Sequence, residues 1–285
     1  MIPSLLRHAT AALVVAAATA HPAVSLVRDG RGNIYYSDLA QVWCLAPDGR
    51  TRIAVPGVHT HELCLDATGN LYGEHLWYEG DDTKKWGHYV WRRSPDGRVE
   101  KIVPPTEGFR RDYSFVRDAA GHMYWSESDA TGGTVIRRRP PAGAITTITP
   151  RPALRDPRWL TCSPNGTLYT VARGDLLRID PDGTTRTLAR RLSGERFYIA
   201  FFDRHDVQGL CADDAGNVWV AVSELSVVKK ISPAGAVTIA ARSTFPHRPS
   251  GVLSTPDGHL WILEDSVPNQ TRLRHLTPDG KEITP

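Results

Sequence analysis

The chain has 285 residues, 41% of them apolar and 23% charged, enough to bury a sizeable core. Its 34 Lys and Arg face 31 Asp and Glu, for a formal charge of +3. So even a balance argues against nucleic acid or an anionic membrane as partner.

Residues 1–20 stand apart from the rest of the chain. Arg7 and His8 precede an apolar, Ala/Val-rich run over Ala11–Ala20 that ends Ala18-Thr19-Ala20. This is the pattern of a secretory leader cleaved near Ala20–His21, and it is too short to span a bilayer. The expectation is a signal peptide over 1–20, one domain over 21–285, and a secreted or periplasmic protein. A competing reading makes Leu13–Ala17 a strand that completes the last repeat or closes the ring, which would place the protein in the cytoplasm.

From residue 24 onward the chain repeats. Six turns read Asp-x-x-Gly or Pro-Asn/Asp-Gly and end at Gly32, Gly69, Gly121, Gly166, Gly216 and Gly258. Each leads into an apolar–aromatic pair, from Ile34-Tyr35 to Leu260-Trp261. Six more read x-Pro-Asp/Ala-Gly and end at Gly49, Gly97, Gly143, Gly183, Gly235 and Gly280. The two sets alternate without exception, and the first recurs at intervals of 37 to 52 residues. In the second set Pro presets φ and Gly supplies φ > 0. Two hairpin turns per period of this length mark a propeller blade.

Taken in chain order, each module resolves into strands A to D. Blade 1 offers Val42–Leu45 as strand C. Blade 2 offers Glu62–Leu65, Val90–Arg93 and Val99–Val103 as A, C and D. Ile145–Ile148 is strand D of blade 3, and Leu176–Ile179 is strand C of blade 4. Blade 5 is read complete, as Gly209–Ala212, Val218–Val222, Val227–Ile231 and Val237–Ala240. These runs are rich in β-branched and aromatic residues, and no convincing helical period appears. The fold expected is therefore all-β: a six-bladed β-propeller of four-stranded antiparallel blades, with about 44 residues per blade.

This meander puts every A–B and C–D turn on one face of the disc and every B–C and D–A connection on the other. The first face has uniformly tight turns. The second carries all the length variation, over Glu74–His88, Ser126–Thr134, Arg190–Asp206, Ser243–Pro249 and Glu264–Thr271. Binding residues concentrate on loops held by a rigid scaffold, so this loop face is expected to hold the site. Cys44, Cys64, Cys162 and Cys211 lack metal-type spacing and read as core residues. The basic positions Arg92-Arg93, Arg137-Arg138-Arg139, Arg178 and Lys229-Lys230 read as a solvated outer edge.

The densest polar cluster is His59-Thr60-His61-Glu62 entering blade 2, followed by Glu74-His75 on its strand B. Imidazole with carboxylate suits acid–base work near neutral pH or a borderline divalent ion. His61, Glu74 and His75 are the catalytic candidates. His205 and His247 precede strand A of blades 5 and 6, so His61, His205 and His247 form a candidate metal set at the channel mouth. Trp77 and Tyr78 offer an aromatic platform, and Asp112, Tyr113, Gln208 and Glu264 complete the candidate ligand-binding residues. Each also has a plain reading as a loop or core residue. There is no Gly-x-Ser-x-Gly elbow, phosphate loop or His-Glu-x-x-His.

The segment Gln208–Ala221 (QGLCADDAGNVWVA) resembles the blade signature of the SMP-30/gluconolactonase/LRE-like family and also an NHL repeat. Asp66–Tyr72 and Ser250–Leu263 are looser copies. The resemblance implies a six-bladed propeller over the whole repeat region. It also implies a divalent cation held by a Glu entering blade 1, an Asn entering a middle blade and an Asp entering the next. Here those places hold Ala23-Val24-Ser25, Trp159 and Gln208. The pattern of His before strand A resembles the peptidylglycine amidating lyases, which use a three-histidine channel metal.

The reading is an extracytoplasmic, monomeric propeller that binds a small molecule or peptide on the loop face. Its expected cofactor is one divalent metal, Zn²⁺ or Ca²⁺, or else none. The alternatives are a metal-dependent hydrolase or lyase with a re-wired channel site, and a protein-interaction scaffold.

Overall fold

A computed structural model of the chain describes residues 23–78, 85–107, 115–118, 120–128, 133–155, 157–194, 206–266 and 270–283. Residues 1–20, with Leu13–Ala17, lie outside the described residues, as do Asp112, Tyr113 and His205.

Six four-stranded antiparallel sheets follow one another, each in sequence order. Blade 1 is β1 (Leu26–Arg28), β2 (Ile34–Ser37), β3 (Gln41–Leu45) and β4 (Thr51–Pro56). Blade 2 is β5 (Leu63–Leu65), β6 (Leu71–Tyr78), β7 (Trp86–Arg93) and β8 (Val99–Glu107). Blade 3 is β9 (Phe115–Arg117), β10 (Met123–Ser128), β11 (Thr134–Arg139) and β12 (Thr146–Ile148). Blade 4 is β13 (Pro157–Cys162), β14 (Leu168–Ala172), β15 (Asp175–Ile179) and β16 (Thr185–Ala189). Blade 5 is β17 (Leu210–Ala212), β18 (Val218–Val222), β19 (Val227–Ile231) and β20 (Val237–Arg242). Blade 6 is β21 (Arg248–Ser254), β22 (Leu260–Asp265), β23 (Arg272–Leu276) and β24 (Glu282–Ile283). The six-bladed all-β propeller is as expected, with one 3₁₀ turn at Ser223–Leu225. No helix among the described residues is long and apolar enough to cross a membrane.

The turn chemistry is local and legible. All twelve turn glycines sit at φ between +76° and +112°, where a side chain is strained. The aspartate opening the first turn has a further task. Asp66 accepts hydrogen bonds from the Asn70 amide (2.9 Å), the Asn70 side chain (2.8 Å) and the Tyr72 hydroxyl (2.8 Å). Asp29 does the same with Asn33 and Tyr35, and Asp118 with His122 and Tyr124. Asp213 is matched to Asn217 and Trp219. In blades 1, 2, 3 and 5 these carboxylates tie the A–B turn to the aromatic of strand B, so their role is structural.

Each buried apolar cluster lies between two consecutive blades. The inner strands β1, β5, β9, β13, β17 and β21 touch in succession, and β21 touches β1. The closing seam packs Leu263 of blade 6 against Ala23, Leu26, Ile34 and Leu45 of blade 1. Among the described residues closure therefore rests on side-chain packing, not on a borrowed strand.

Two expectations need correction. Glu74–His88 is not one long loop: β6 continues to Tyr78 and β7 begins at Trp86, pairing His75 with Tyr89 and Trp77 with Gly87. Aromatic residues on both arms favour the extended hairpin. Nor are the strand C cations simply solvated. Arg92, Arg138, Arg178 and Lys230 are half-buried and pair across the sheet with Tyr72, Tyr124, Tyr169 and Trp219.

Candidate functional site

The connection from β4 to β5 lays His59-Thr60-His61-Glu62 across the loop-face end of blade 2. Its first three residues are each pinned. The His59 amide donates to His75 Nδ1 (2.9 Å), and its carbonyl accepts from the Leu76 amide (3.0 Å). The Thr60 hydroxyl is fully buried, donates to the Glu74 carbonyl (2.8 Å) and accepts from the Trp91 indole (3.1 Å). The His61 carbonyl accepts from the Val24 amide of blade 1 (3.0 Å). A short segment held at so many points fixes its side chains before any ligand arrives.

The result is a histidine pair. Nε2 of His59 stands 3.1 Å from Nε2 of His61, with ring centroids 4.9 Å apart and planes inclined at 68°. The separation fits a hydrogen bond in which one ring donates and the other accepts. It also fits two adjacent positions on a metal ion. With Zn–N bonds of about 2.0–2.1 Å, two such nitrogens stand roughly 2.9 Å apart at a right angle and roughly 3.4 Å apart at the tetrahedral angle. The same blade holds a second pair, Glu74 of β6 with His88 of β7, where Oε1 and Nε2 are 4.0 Å apart and both side chains are largely buried.

The candidate residues divide accordingly. His61 and Glu74 lie in this cluster. The structure adds His59 and His88, which sequence reasoning placed on this face without a role. The His-x-His spacing was the signal available for His59. His75 is tied to the same segment. Its Nδ1 is taken by the His59 amide and its ring stacks on Tyr89 at 4.7 Å. Burial holds its imidazole below the usual range, with His59 and Lys101 adding to the effect.

Glu264 is the clearest departure from expectation. It is fully buried. Ser243, Arg272 and Arg274 donate to its two oxygens, Arg274 at 2.9 Å. Arg274 also donates to the Arg242 carbonyl of blade 5 (3.0 Å). The carboxylate thus welds blade 6 to blade 5, and its oxygens face donors of the protein itself. Trp77 is half-buried opposite Gly87, and the side chain of Tyr78 lies outside the described set.

Among the described residues no three His, Cys, Asp or Glu side chains form a metal-binding group. His247 sits in a turn, its amide donating to the Thr244 carbonyl (3.0 Å), and the triad's third member, His205, is outside the described residues.

The positions that correspond to the gluconolactonase cation are filled otherwise. Val24 is buried, and Gln208 is 3% exposed. Trp159 occupies a β-bulge at φ +53° and sends its indole N–H to the Val207 carbonyl of blade 5 (2.8 Å). Gly209 packs so closely that a Cβ there would stand 2.2 Å from the Val24 carbonyl and 2.8 Å from that of Ser250. Among the described residues these three positions offer that cation no carboxylate.

No protein-family model and no curated protein sequence matches the chain. Solved structures do. An auxiliary nutrient binding protein from Bacteroides thetaiotaomicron superposes with a TM-score of 0.63 at 12% identity, over 89% of this chain and 68% of that one. A gluconolactonase from Xanthomonas campestris gives 0.56 at 16% identity, over 84% and 81%. Virginiamycin B lyase from Staphylococcus aureus, solved as a catalytically inactive variant with quinupristin, gives 0.52 at 15% identity, over 88% and 83%. At these identities the likeness establishes the fold, and at that level the gluconolactonase resemblance is borne out.

Proposed function

We propose that this propeller binds a small molecule or a peptide on its loop face, over blade 2, with His59 and His61 as the groups that meet the ligand or a divalent ion beside it. The observation that carries the reading is the pinned pair of imidazole nitrogens 3.1 Å apart. A bound Zn²⁺ would supply a Lewis acid at the mouth of the site. His59 and His61 would hold it, and the Glu74–His88 pair of the same blade would be a buried acid–base couple. The nutrient-binding neighbour supports a binder. The lactonase and lyase neighbours support the second reading, a hydrolase or lyase whose chemistry runs through the same pair. The reading includes export, which rests on the Arg7–Ala20 pattern, and a monomeric state.

The test is elemental analysis and calorimetric titration with Zn²⁺, Ca²⁺ and Mg²⁺, before and after chelation, on the wild type and on His59→Ala and His61→Ala. The expected result is one ion per chain, lost in both variants. A screen of lactones, esters and short peptides then separates the readings. Saturable binding without turnover supports the binder, and metal-dependent turnover supports the enzyme. Ligand binding that is unchanged in both variants overturns the placement of the site.

A further inference from the structure

The opposite, tight-turn face holds a cleft of about 630 Å³ between blades 6 and 1. Small-molecule sites usually measure about 300–1,000 Å³. Its chemistry stands out when the blades are compared with one another. The residue across from the strand B aromatic is a cation in blades 2 to 5: Arg92, Arg138, Arg178 and Lys230. In blade 6 it is His275, paired with Trp261. The turn position also changes. His122 of blade 3 is clamped between Asp118 (2.8 Å) and Arg138 (2.7 Å). Its blade 6 counterpart, His259, has Thr255 and His275 in those two places. His259 Nδ1 therefore meets His275 Nε2 at 2.8 Å, and the His275 ring lies flat on Trp261, with centroids 3.8 Å apart and planes at 10°.

Across the seam, Arg28 replaces a closed contact with an open one. At the matching position in blade 3, Arg117 caps the Tyr72 ring of blade 2 at 4.0 Å. Arg28, more than a third exposed, instead reaches Asp257 at 3.9 Å, a distance that holds it only loosely. The cleft walls thus carry Arg28, Arg31, His259 and His275 against one carboxylate, Asp257, while Trp261, Ala46, Pro47 and Ile283 supply the accessible apolar floor.

We propose that this seam cleft is a second binding site, for a small organic acid with an apolar or aromatic body. The acid group would accept from the Arg28 guanidinium and an imidazole N–H, and the body would cover the floor. Burial and the His259 ring hold His275 below the usual imidazole range, although Asp257 pulls the other way. A bound acid, with Arg28, Arg31 and Asp257 the charged groups around it, would favour proton uptake by the pair. Binding should therefore be tighter at pH 6 than at pH 8.

The test titrates the full chain with benzoate, acetate and benzamide by calorimetry at both pH values. Benzoate should bind saturably and more tightly than acetate, which lacks the body, or benzamide, which lacks the charge. Arg28→Gln and His275→Ala should each weaken benzoate at least fivefold. Asp257→Asn removes the competing carboxylate and should strengthen it, roughly two- to fivefold for an exposed charge. A gain of binding cannot come from a damaged fold. His61→Ala, on the other face, should change nothing, so this site stands or falls apart from the loop-face reading. Benzoate binding that survives both Arg28→Gln and His275→Ala, or that Asp257→Asn fails to strengthen, overturns the assignment.

Discussion

Gly73→Ala is expected to destabilise the propeller and to loosen the His59–His61 pair together. Gly73 lies on β6, across from Trp91 on β7. A Cβ built there stands 2.2 Å from Trp91 Cζ2, 2.7 Å from Cε2 and 2.8 Å from Thr60 Cγ2. Carbon atoms pack at roughly 3.5–4.0 Å, so the indole and the threonine methyl must both retreat, the indole by more than about 1 Å. Neither has room, because Trp91 is 1% exposed and Thr60 is fully buried. Overpacking of this kind costs about 1–3 kcal/mol, and losing the Trp91–Thr60 hydrogen bond adds about 1 kcal/mol. Restricting the unfolded chain returns about 0.4–1 kcal/mol. The net expectation is a loss of about 2 kcal/mol, measured by urea unfolding. Because Thr60 carries the two histidines on either side, the Zn²⁺ binding proposed for that pair should weaken by roughly tenfold or more in the same variant. A double variant with Trp91→Leu should recover part of the loss, with a coupling of at least about 1 kcal/mol. Wild-type stability in Gly73→Ala, or strict additivity in the double variant, would refute the reasoning.

Three further expectations rest on the same geometry. Glu264→Gln leaves the Arg272 and Arg274 guanidiniums facing a neutral amide. Breaking a buried pair costs about 3–5 kcal/mol, and the lower end is expected in thermal unfolding because Glu282 still pairs with Arg274 at 2.8 Å. For Asp66, burial would raise the carboxyl, but hydrogen bonds from Asn70, Thr68 and Tyr72 outweigh it and hold the group down at about 2. Its stabilisation is therefore present above the unfolded value, near 4, and is lost as pH falls from about 4 towards 2. Wild type should lose more stability over that window than Asp66→Asn, and equal acid sensitivity would count against the turn network. Finally, a chain lacking residues 1–20 should keep a single cooperative thermal transition, since all six sheets are complete from Leu26 onward. Loss of that transition would make Leu13–Ala17 structural.

The blade count, the strand phase and the identity of the two faces were legible in the sequence because their causes are local. A turn glycine needs φ > 0 wherever it lies, and an aspartate that binds its own fourth and sixth neighbours, as Asp66 binds Asn70 and Tyr72, writes its function into a short motif. The cluster at His59–Glu62 was legible too, as composition on a loop. Its internal wiring was not. His75 became a prop for His59 because β6 and β7 continue past the expected loop boundary and set its ring on Tyr89. Glu264 looked like a loop carboxylate, but Ser243, just past β20, and Arg274 of β23 converge on it and consume it. The histidine pair of the seam cleft joins His259 to His275, sixteen residues apart, with His275 standing where blades 2 to 5 place a cation. Such contacts depend on which side chains the closed ring brings together, and that is fixed by the packing of each blade on the next rather than by any stretch of neighbouring residues.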